Sequence, residues 1–417
     1  MRRVLCLIVT ASITLGFCTP AQAQSAVTVS DVGVDYSFGE EITFTARIQA
    51  ASGMVGQSPT IIQEALIFFH VQGDPNIRVA PIQIGADGMT SYQYPVSAGL
   101  LPPFARIYFW YRLTLQGGEV YTSPQFYFDY VDNRFPWQTL EDASVRLHWY
   151  AGDVSFGQAA FDVARIGLQA VNNLIPAAPL GLRQSELIDL YIYATPTDAQ
   201  NVLSLGGQPP GLSARTGWLA GQASPDLGMV LVSISAGAEQ TIAMQRQIPH
   251  ELAHVLLYRH TGAAYNQLPT WLREGIASLA ELYPNADYVQ VLGIAAQNQT
   301  LLPIPDLCGL FPQDASGALL AYAESASFTR YLHKTYGTSG LLTLIQAYSD
   351  GLDCEQGAAR SFGSPLSQMD QQWRQAALGE NVGGLAFRNL LPYLVILVVI
   401  LAFPVWCFWA ARKRSKA

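Results

Sequence analysis

Three residues of one short segment have the types and the spacing of a metal site. His250 and His254 are four residues apart, so on an α-helix both imidazoles lie on one face, one turn apart, where they can share one metal ion. Imidazole nitrogens are common ligands of zinc. Glu251 follows the first histidine and is placed to take a proton from a water molecule that the metal activates. The spacing therefore predicts hydrolytic zinc chemistry with Glu251 as the general base.

The residues around this motif predict that its helix is buried. Leu252 and the run Val255 to Leu257 make the remainder of the helix apolar. Histidines and a glutamate on a buried helix need polar partners, and a metal ion supplies them. Pro249 either starts the helix at its first position or lies inside a longer helix that begins near Glu239. The sequence leaves both possibilities open.

Two residues compete to be the third ligand, because catalytic zinc usually has three protein ligands. If the helix continues through Leu257, His260 lies six residues beyond His254, about 240° around the axis and roughly 9 Å further along it. His260 is then out of reach of the metal. Glu274 follows Pro269 and Thr270, which can open a second helix. We therefore predict one zinc ion per chain, bound by His250, His254 and Glu274, with His260 as a histidine at the helix end.

Two segments together resemble the gluzincin zinc metallopeptidases. They are His-Glu-Leu-Ala-His over 250–254 and Trp-Leu-Arg-Glu-Gly-Ile-Ala over 271–277. The likeness is to proteins with a peptidase MA-like domain, whose motifs are similar to those of the aminopeptidase group, and it covers roughly 140–380. It implies an α+β metallopeptidase domain that acts on a peptide or protein substrate. It also implies zinc ligation by His250, His254 and Glu274, with Glu251 as the base.

The same resemblance extends to the segment 321–332, which is similar to a later helix of these proteins. It implies that Tyr322 stabilises the oxyanion, with Tyr336 and His333 as alternatives, and Glu281 is a candidate partner of a ligand histidine. The sequence has no Gly-x-Met-Glu-Asn segment, which aminopeptidases use to hold the free amine of the substrate. We therefore expect an endopeptidase. The strand predicted at 230–235 takes the place of that segment, and it could pair with an extended peptide.

The first part of the chain has the pattern of an all-β domain. Ile42, Phe44, Ala46 and Ile48 alternate with polar residues, as in a half-buried strand. Further strands are predicted and turn signals recur at short spacing, which indicates a β-sandwich of roughly immunoglobulin size over 24–132.

Both ends of the sequence predict membrane targeting. Residues 1–23 have the features of a signal peptide, and 390–411 are apolar over the length of one transmembrane helix. A basic tail at 412–417 favours the cytoplasmic side for the C-terminus. These features predict a single-pass cell-membrane protein with most of its chain extracytoplasmic. Cys308 and Cys354 remain outside both ends, and they form either one disulfide or two free thiols.

The net charge of the chain excludes one class of binding partner. The formal net charge is −8, and without the six basic residues of both ends it is about −14, which argues against binding to nucleic acid. The predicted fold is a multidomain α+β protein with an N-terminal Ig-like β-sandwich, a gluzincin domain over 140–380 and a C-terminal transmembrane helix. The predicted function is that of a membrane-anchored zinc metallopeptidase. A non-catalytic surface-binding protein with a structural zinc and a zinc hydrolase of non-peptide bonds are the alternatives.

Overall fold

The structure, a computed structural model, describes most of the chain in two compact units. The described residues are 27–50, 61–97, 101–176, 187–205, 221–225, 228–379, 390–396 and 400. The first unit comprises the described residues of 1–95 together with 106–129, and the second comprises those of 96–105 and 130–417. The predicted signal peptide, 1–23, and the predicted basic tail, 412–417, lie outside the described residues.

The first unit contains two antiparallel sheets. One sheet has the strand order β1-β2-β5, and the other has the order β4-β3-β6-β7 with β8 also paired to β6. The strands are β1 (Val27–Ser37), β2 (Glu41–Ala50), β3 (Ile62–Val71), β4 (Arg78–Pro81), β5 (Met89–Pro95), β6 (Arg106–Leu115), β7 (Val120–Thr122) and β8 (Phe126–Asp129).

The alternating pattern of β2 explains how these two sheets form one core. Ile42, Phe44, Ala46 and Ile48 are buried, because successive side chains of a strand point to opposite faces. The ring of Phe44 lies 5.3 Å from that of Phe69 in β3, measured between centroids. Side chains of the two sheets therefore pack against each other. The N-terminal region is β-rich, as the sequence predicts.

The second unit begins with a mixed five-stranded sheet of order β12-β13-β11-β10-β9. Its three central strands are parallel, and both edge strands run antiparallel to their neighbours. Its elements, with the two helices that connect them, are β9 (Gln138–Glu141), β10 (Val145–Trp149), α1 (Val154–Leu174), β11 (Ile188–Tyr193), α2 (Pro196–Leu205), β12 (Gly221–Ser224) and β13 (Met229–Ser233).

The remainder of the second unit is helical. Its helices are α3 (Gln240–Thr261), α4 (Thr270–Ala280), α5 (Ala286–Asn298), α6 (Ala315–Ser349), α7 (Cys354–Phe362) and α8 (Leu366–Leu378). Helix α3 packs on the central sheet through Met244, Ile248, Leu252 and Val255, which share one buried cluster with strand residues and with α1. Leu257 of the same helix belongs to a second cluster, which α4, α6 and α8 build. The motif helix therefore lies between two cores and its position is fixed on both sides.

One disulfide supports the start of α4. Cys308 and Cys354 are bonded, with their Cα atoms 6.4 Å apart, so the first of the two predicted alternatives is confirmed. The carbonyl of Cys308 accepts a hydrogen bond from the backbone N–H of Thr270 at 3.1 Å. Because the first N–H groups of a helix lack helical partners, this contact anchors the end of α4 that precedes Glu274.

The structure contradicts the predicted membrane span. In the part of the chain that the structure describes, no helix is both long and apolar enough to cross a bilayer. Of the predicted helix 390–411, residues 390–396 and 400 are helical, and the others lie outside the described residues. The predicted transmembrane helix, the anchoring through it and the single-pass membrane localisation are therefore wrong.

Candidate metal centre

Pro249 lies inside helix α3, so of the two possibilities the longer helix is observed. Proline has no N–H group, which leaves the carbonyl of Gln245, four residues earlier, without its helical donor. That carbonyl instead accepts a hydrogen bond from the backbone N–H of Leu282 at 2.9 Å. Leu282 directly follows Glu281. The proline therefore frees an acceptor that holds the end of α4 beside the motif helix.

The three predicted ligands lie together. Oε2 of Glu274 is 3.4 Å from Nε2 of His250 and 3.6 Å from Nε2 of His254. One potential ligand atom from each residue lies within 4.8 Å of the other two. Two imidazole nitrogens and one carboxylate oxygen form a ligand set that zinc accepts in catalytic sites. This group could hold a metal ion.

Each ligand histidine has a partner on its other nitrogen. Nδ1 of His250 lies 3.0 Å from Oε1 of Glu281, which places the predicted candidate partner in contact with a ligand. Nδ1 of His254 lies 3.0 Å from the hydroxyl oxygen of Tyr265. For Nε2 to bind a metal, Nδ1 carries the proton and donates to these oxygens. The two contacts therefore orient both rings with Nε2 towards Glu274.

Replacing Tyr265 by phenylalanine is expected to weaken metal binding about 10- to 100-fold, the usual cost of losing a hydrogen-bond partner of a ligand histidine. The change leaves the Nδ1 proton of His254 without its acceptor. Competition with a chromophoric chelator measures the affinity. Tyr258→Phe is the matched control, because Tyr258 packs 5.8 Å from the Tyr265 ring, between centroids, on the same helix as His254. Equal affinities of the two variants would contradict this role of Tyr265.

Glu251 is buried beside an edge strand. Burial raises the pKa of its carboxyl group, while electrostatic interactions with His250 and His254 and a hydrogen bond from the backbone of Ala223 lower it. A Cβ atom on Gly221 would lie 2.7 Å from Oε1 of Glu251, so any larger residue there would displace the Glu251 side chain. Strand β12 therefore forms one wall around the carboxylate.

Glu274 is positioned by close packing of α4 against α6. A Cβ atom on Gly275 would lie 2.7 Å from the carbonyl oxygen of Ser325, so Gly275 lets the two helices touch. Burial on its own raises the pKa of Glu274, but the charge of His254 and the hydrogen bonds from both imidazoles outweigh it, and this pKa lies below its usual range.

A cavity of about 380 Å³ opens beside these groups. Its wall includes the three predicted ligands, the predicted base and the predicted oxyanion donor Tyr322. The ring of Tyr322 packs against Phe311 at a centroid distance of 5.1 Å. Burial raises the pKa of this phenol well above its usual value, so it keeps its proton as a donor requires.

The alternative residues lie elsewhere. Tyr336 stacks on Phe362 with 4.2 Å between ring centroids. Nε2 of His333 lies 3.2 Å from the hydroxyl of Thr338. His260 is part of the last turn of α3. Among the described residues, none of these three side chains belongs to the cavity wall or to the ligand group.

Several residues of the site carry no signal in the sequence. Tyr265 lies in a 3-10 turn between α3 and α4, where no periodicity marks it. Arg246, Arg273 and Tyr288 also line the cavity, and each would be read from the sequence as an ordinary helix residue.

The strand beside the cavity also differs from the sequence prediction. The strand predicted at 230–235 corresponds to β13, which pairs with β11 on one side and with β12 on the other. It therefore has no open edge. The edge strand next to Glu251 is β12.

Comparison with known proteins identifies the family. A model of the peptidase MA superfamily matches residues 166–379. No curated protein matches the sequence.

Similar solved structures include the β-1,3-glucan binding domain of carbohydrate-binding module family 56, with 14% identity, 24% of this chain and 96% of that chain covered, and a TM-score of 0.16. A conserved protein from Bacillus anthracis str. Ames has 9% identity, covers 83% of this chain and 73% of its own, and has a TM-score of 0.30. TM-scores this low support no argument about fold or function.

The family match spans more than half of the chain and includes every residue of the candidate metal centre. Strand β12, at 221–224, also falls inside it. The match confirms the resemblance drawn from the two motifs and supports a peptidase-like function on peptide or protein substrates. The chain belongs to the peptidase MA superfamily.

Proposed function

We propose that this protein is a zinc-dependent metallopeptidase that hydrolyses peptide bonds within a chain. His250, His254 and Glu274 bind the zinc ion, and Glu251 is the general base. Tyr322 donates a hydrogen bond to the oxygen that gains negative charge. Membrane attachment is not part of this proposal.

One observation supports it above the others. A three-residue ligand group lies in the wall of an open cavity, with a buried carboxylate next to it. Structural zinc usually has four protein ligands, whereas catalytic zinc keeps one position for water or substrate. Within the described residues, the group around His254 offers three ligands, which favours catalysis over the alternative of a structural zinc in a binding protein.

Each group of the site has a separate role in the proposed reaction. Zinc, when bound, polarises the scissile carbonyl and lowers the pKa of the attacking water. Glu251 takes the proton from this water and delivers it to the leaving amine. The Tyr322 phenol donates to the carbonyl oxygen as charge develops on it. The wall of β12 excludes solvent from one side of Glu251, which strengthens these electrostatic interactions.

The edge strand suggests how a peptide binds. Among the described strands, β12 pairs only with β13, so its other edge can bind an extended peptide through backbone hydrogen bonds. Gly221 and Ala223 of this strand line the cavity. A peptide aligned along β12 would extend on both sides of the metal, which supports an endopeptidase.

Metal removal tests the proposal. The purified protein should contain one zinc ion and cleave members of a mixed peptide library at internal bonds, as measured by mass spectrometry. Dialysis against a chelator should abolish cleavage, and one equivalent of zinc should restore it because the three ligands remain in place. Cleavage that persists in protein shown to be free of metal would contradict the proposal, as would the absence of cleavage by the zinc-loaded protein.

A further inference from the structure

Two arginines in the cavity wall have no carboxylate partner among the described residues. Arg246 and Arg273 both line the cavity. Among the described residues neither forms an ion pair, whereas eight other arginines pair with an aspartate. The buried Nε of each also lacks a hydrogen-bond partner in the described part of the chain. Because both arginines are only partly buried and line the cavity, their guanidiniums can bind an anionic ligand there.

Arg246 lies on the His250 side of the site. It precedes His250 by four residues on α3, so both side chains project from the same face of the helix. Its guanidinium carbon lies 5.9 Å from the centroid of the Tyr283 ring. A guanidinium has five N–H groups in a planar fork, and within the described residues none of those of Arg246 donates a hydrogen bond. Arg246 is partly exposed and lines the cavity, so the N–H groups of its fork that reach the cavity are available to a ligand.

Arg273 lies on the His254 side and is held more firmly. It directly precedes Glu274, and its Nη2 donates to the hydroxyl of Thr270 at 3.1 Å. Its guanidinium carbon is 5.2 Å from the centroid of the Tyr265 ring, the same tyrosine that contacts His254. These contacts orient the cation in advance, which reduces the entropy lost when a ligand binds.

The carboxylates of the cavity are already engaged. Glu274 faces both ligand histidines, and Glu281 contacts Nδ1 of His250. The cavity wall has three carboxylates and two guanidiniums, so a divalent cation leaves one positive charge in excess. An anionic group of the substrate would balance this charge.

We propose that the substrate carries a carboxylate close to the scissile bond and that Arg246, assisted by Arg273, binds it. The inference rests on the proposed peptidase function and names its substrate class, an acidic peptide. The carboxylate comes from an aspartate or glutamate side chain or from the free C-terminus of the peptide. Both sources present the planar pair of oxygens that a guanidinium binds through two parallel hydrogen bonds.

Matched peptides test this inference. The set contains glutamate or glutamine at one position within three residues of the cleaved bond, and each peptide has a free or an amidated C-terminus. We expect kcat/KM of the zinc-loaded protein to be at least about 10-fold higher for the peptide with the carboxylate, the usual gain from a hydrogen bond to a charged group. We call this quotient, kcat/KM with the carboxylate divided by kcat/KM without it, the ratio. The position or terminus at which the ratio exceeds 1 identifies the source of the carboxylate.

Substitutions of the two arginines test whether they cause the preference for acidic peptides. Arg246→Met should reduce the ratio to about 1, Arg246→Lys should keep part of it, and Arg273→Met should lower it less than Arg246→Met does. Arg330→Met is the matched control, because Arg330 is exposed on α6 and does not line the cavity, and it should keep the full ratio. Calorimetric binding of the same peptides to a zinc-loaded Glu251→Gln protein gives a second readout that needs no turnover.

The outcomes separate the two proposals. Cleavage with equal kcat/KM for acidic and neutral peptides would overturn the inference and leave the peptidase function in place. An unchanged ratio in Arg246→Met would overturn the assignment of Arg246. If the zinc-loaded protein cleaves no peptide, the proposed function fails, and the substrate class inferred from it fails too.

Discussion

A Glu251→Gln protein is expected to bind one zinc ion with unchanged affinity and to cleave peptides roughly 10² to 10⁴ times more slowly than the wild type. The factor is the usual contribution of a general acid–base group. Glutamine has the shape of glutamate and fits beside Gly221, where the strand leaves little room. It cannot accept the proton of the attacking water, so kcat should fall while the ligands His250, His254 and Glu274 keep the metal.

The control for this change is Glu239→Gln, which makes the same chemical substitution on an exposed residue next to the start of α3. Zinc content by mass spectrometry and kcat with one fluorogenic peptide are measured for both variants. The control should match the wild type in both measurements. Full activity of Glu251→Gln would remove Glu251 from the mechanism, and loss of zinc in that variant would assign it a structural role instead.

Replacing Glu274 by alanine should have the second large effect, a loss of metal affinity greater than about 100-fold. Removing a hydrogen-bond partner of a ligand costs about 10- to 100-fold, and removing the ligand itself costs more. Glu274 is the residue that faces Nε2 of both histidines, so no other carboxylate among the described residues completes the three-residue group. After dialysis against a weak chelator, zinc stoichiometry should fall from one to near zero.

His260→Ala is the informative comparison for Glu274→Ala. Both residues were candidates for the third ligand, and His260 is excluded from the ligand group only by its position on the helix. The His260→Ala protein should keep one zinc ion. The opposite pattern, with metal lost only in His260→Ala, would overturn the ligand assignment. Circular dichroism of both variants distinguishes loss of metal from loss of fold.

Local geometry explains why so much of the site is predictable from the sequence. The angle between successive residues of an α-helix is fixed at about 100°, so the spacing of His250 and His254 determines that they share a face, and the spacing of His260 excludes it. The same reasoning predicts the alternation of β2, because side chains of a strand alternate with a period of two. These features need no information about distant parts of the chain.

The end of the chain shows a limit of such reasoning. Composition over 390–411 predicts a membrane span, yet in the described part of the chain no helix meets the length and hydrophobicity that a span requires.

Packing decides the features that the sequence leaves open or misplaces. The sequence allows Pro249 either to start the motif helix or to lie inside a longer one. Its role becomes clear only from the hydrogen bond between the carbonyl of Gln245 and the N–H of Leu282. The sequence does not show which element Gly275 touches, and the structure places it against Ser325 of α6. Each of these facts depends on which residues meet across long stretches of chain.

The sequence by itself determined the family resemblance and predicted the metal-binding motif, the candidate general base and the candidate third ligand, because each depends on spacing within one or two helices. Only the tertiary structure decided that Tyr265 orients His254, that β12 rather than β13 is the edge strand, and that Arg246 and Arg273 have no carboxylate partner in the described part of the chain. The physical reason is the same in every case. A hydrogen bond or an unpaired charge depends on the distance between side chains in space, and spacing along the chain sets that distance only within a single helix or strand.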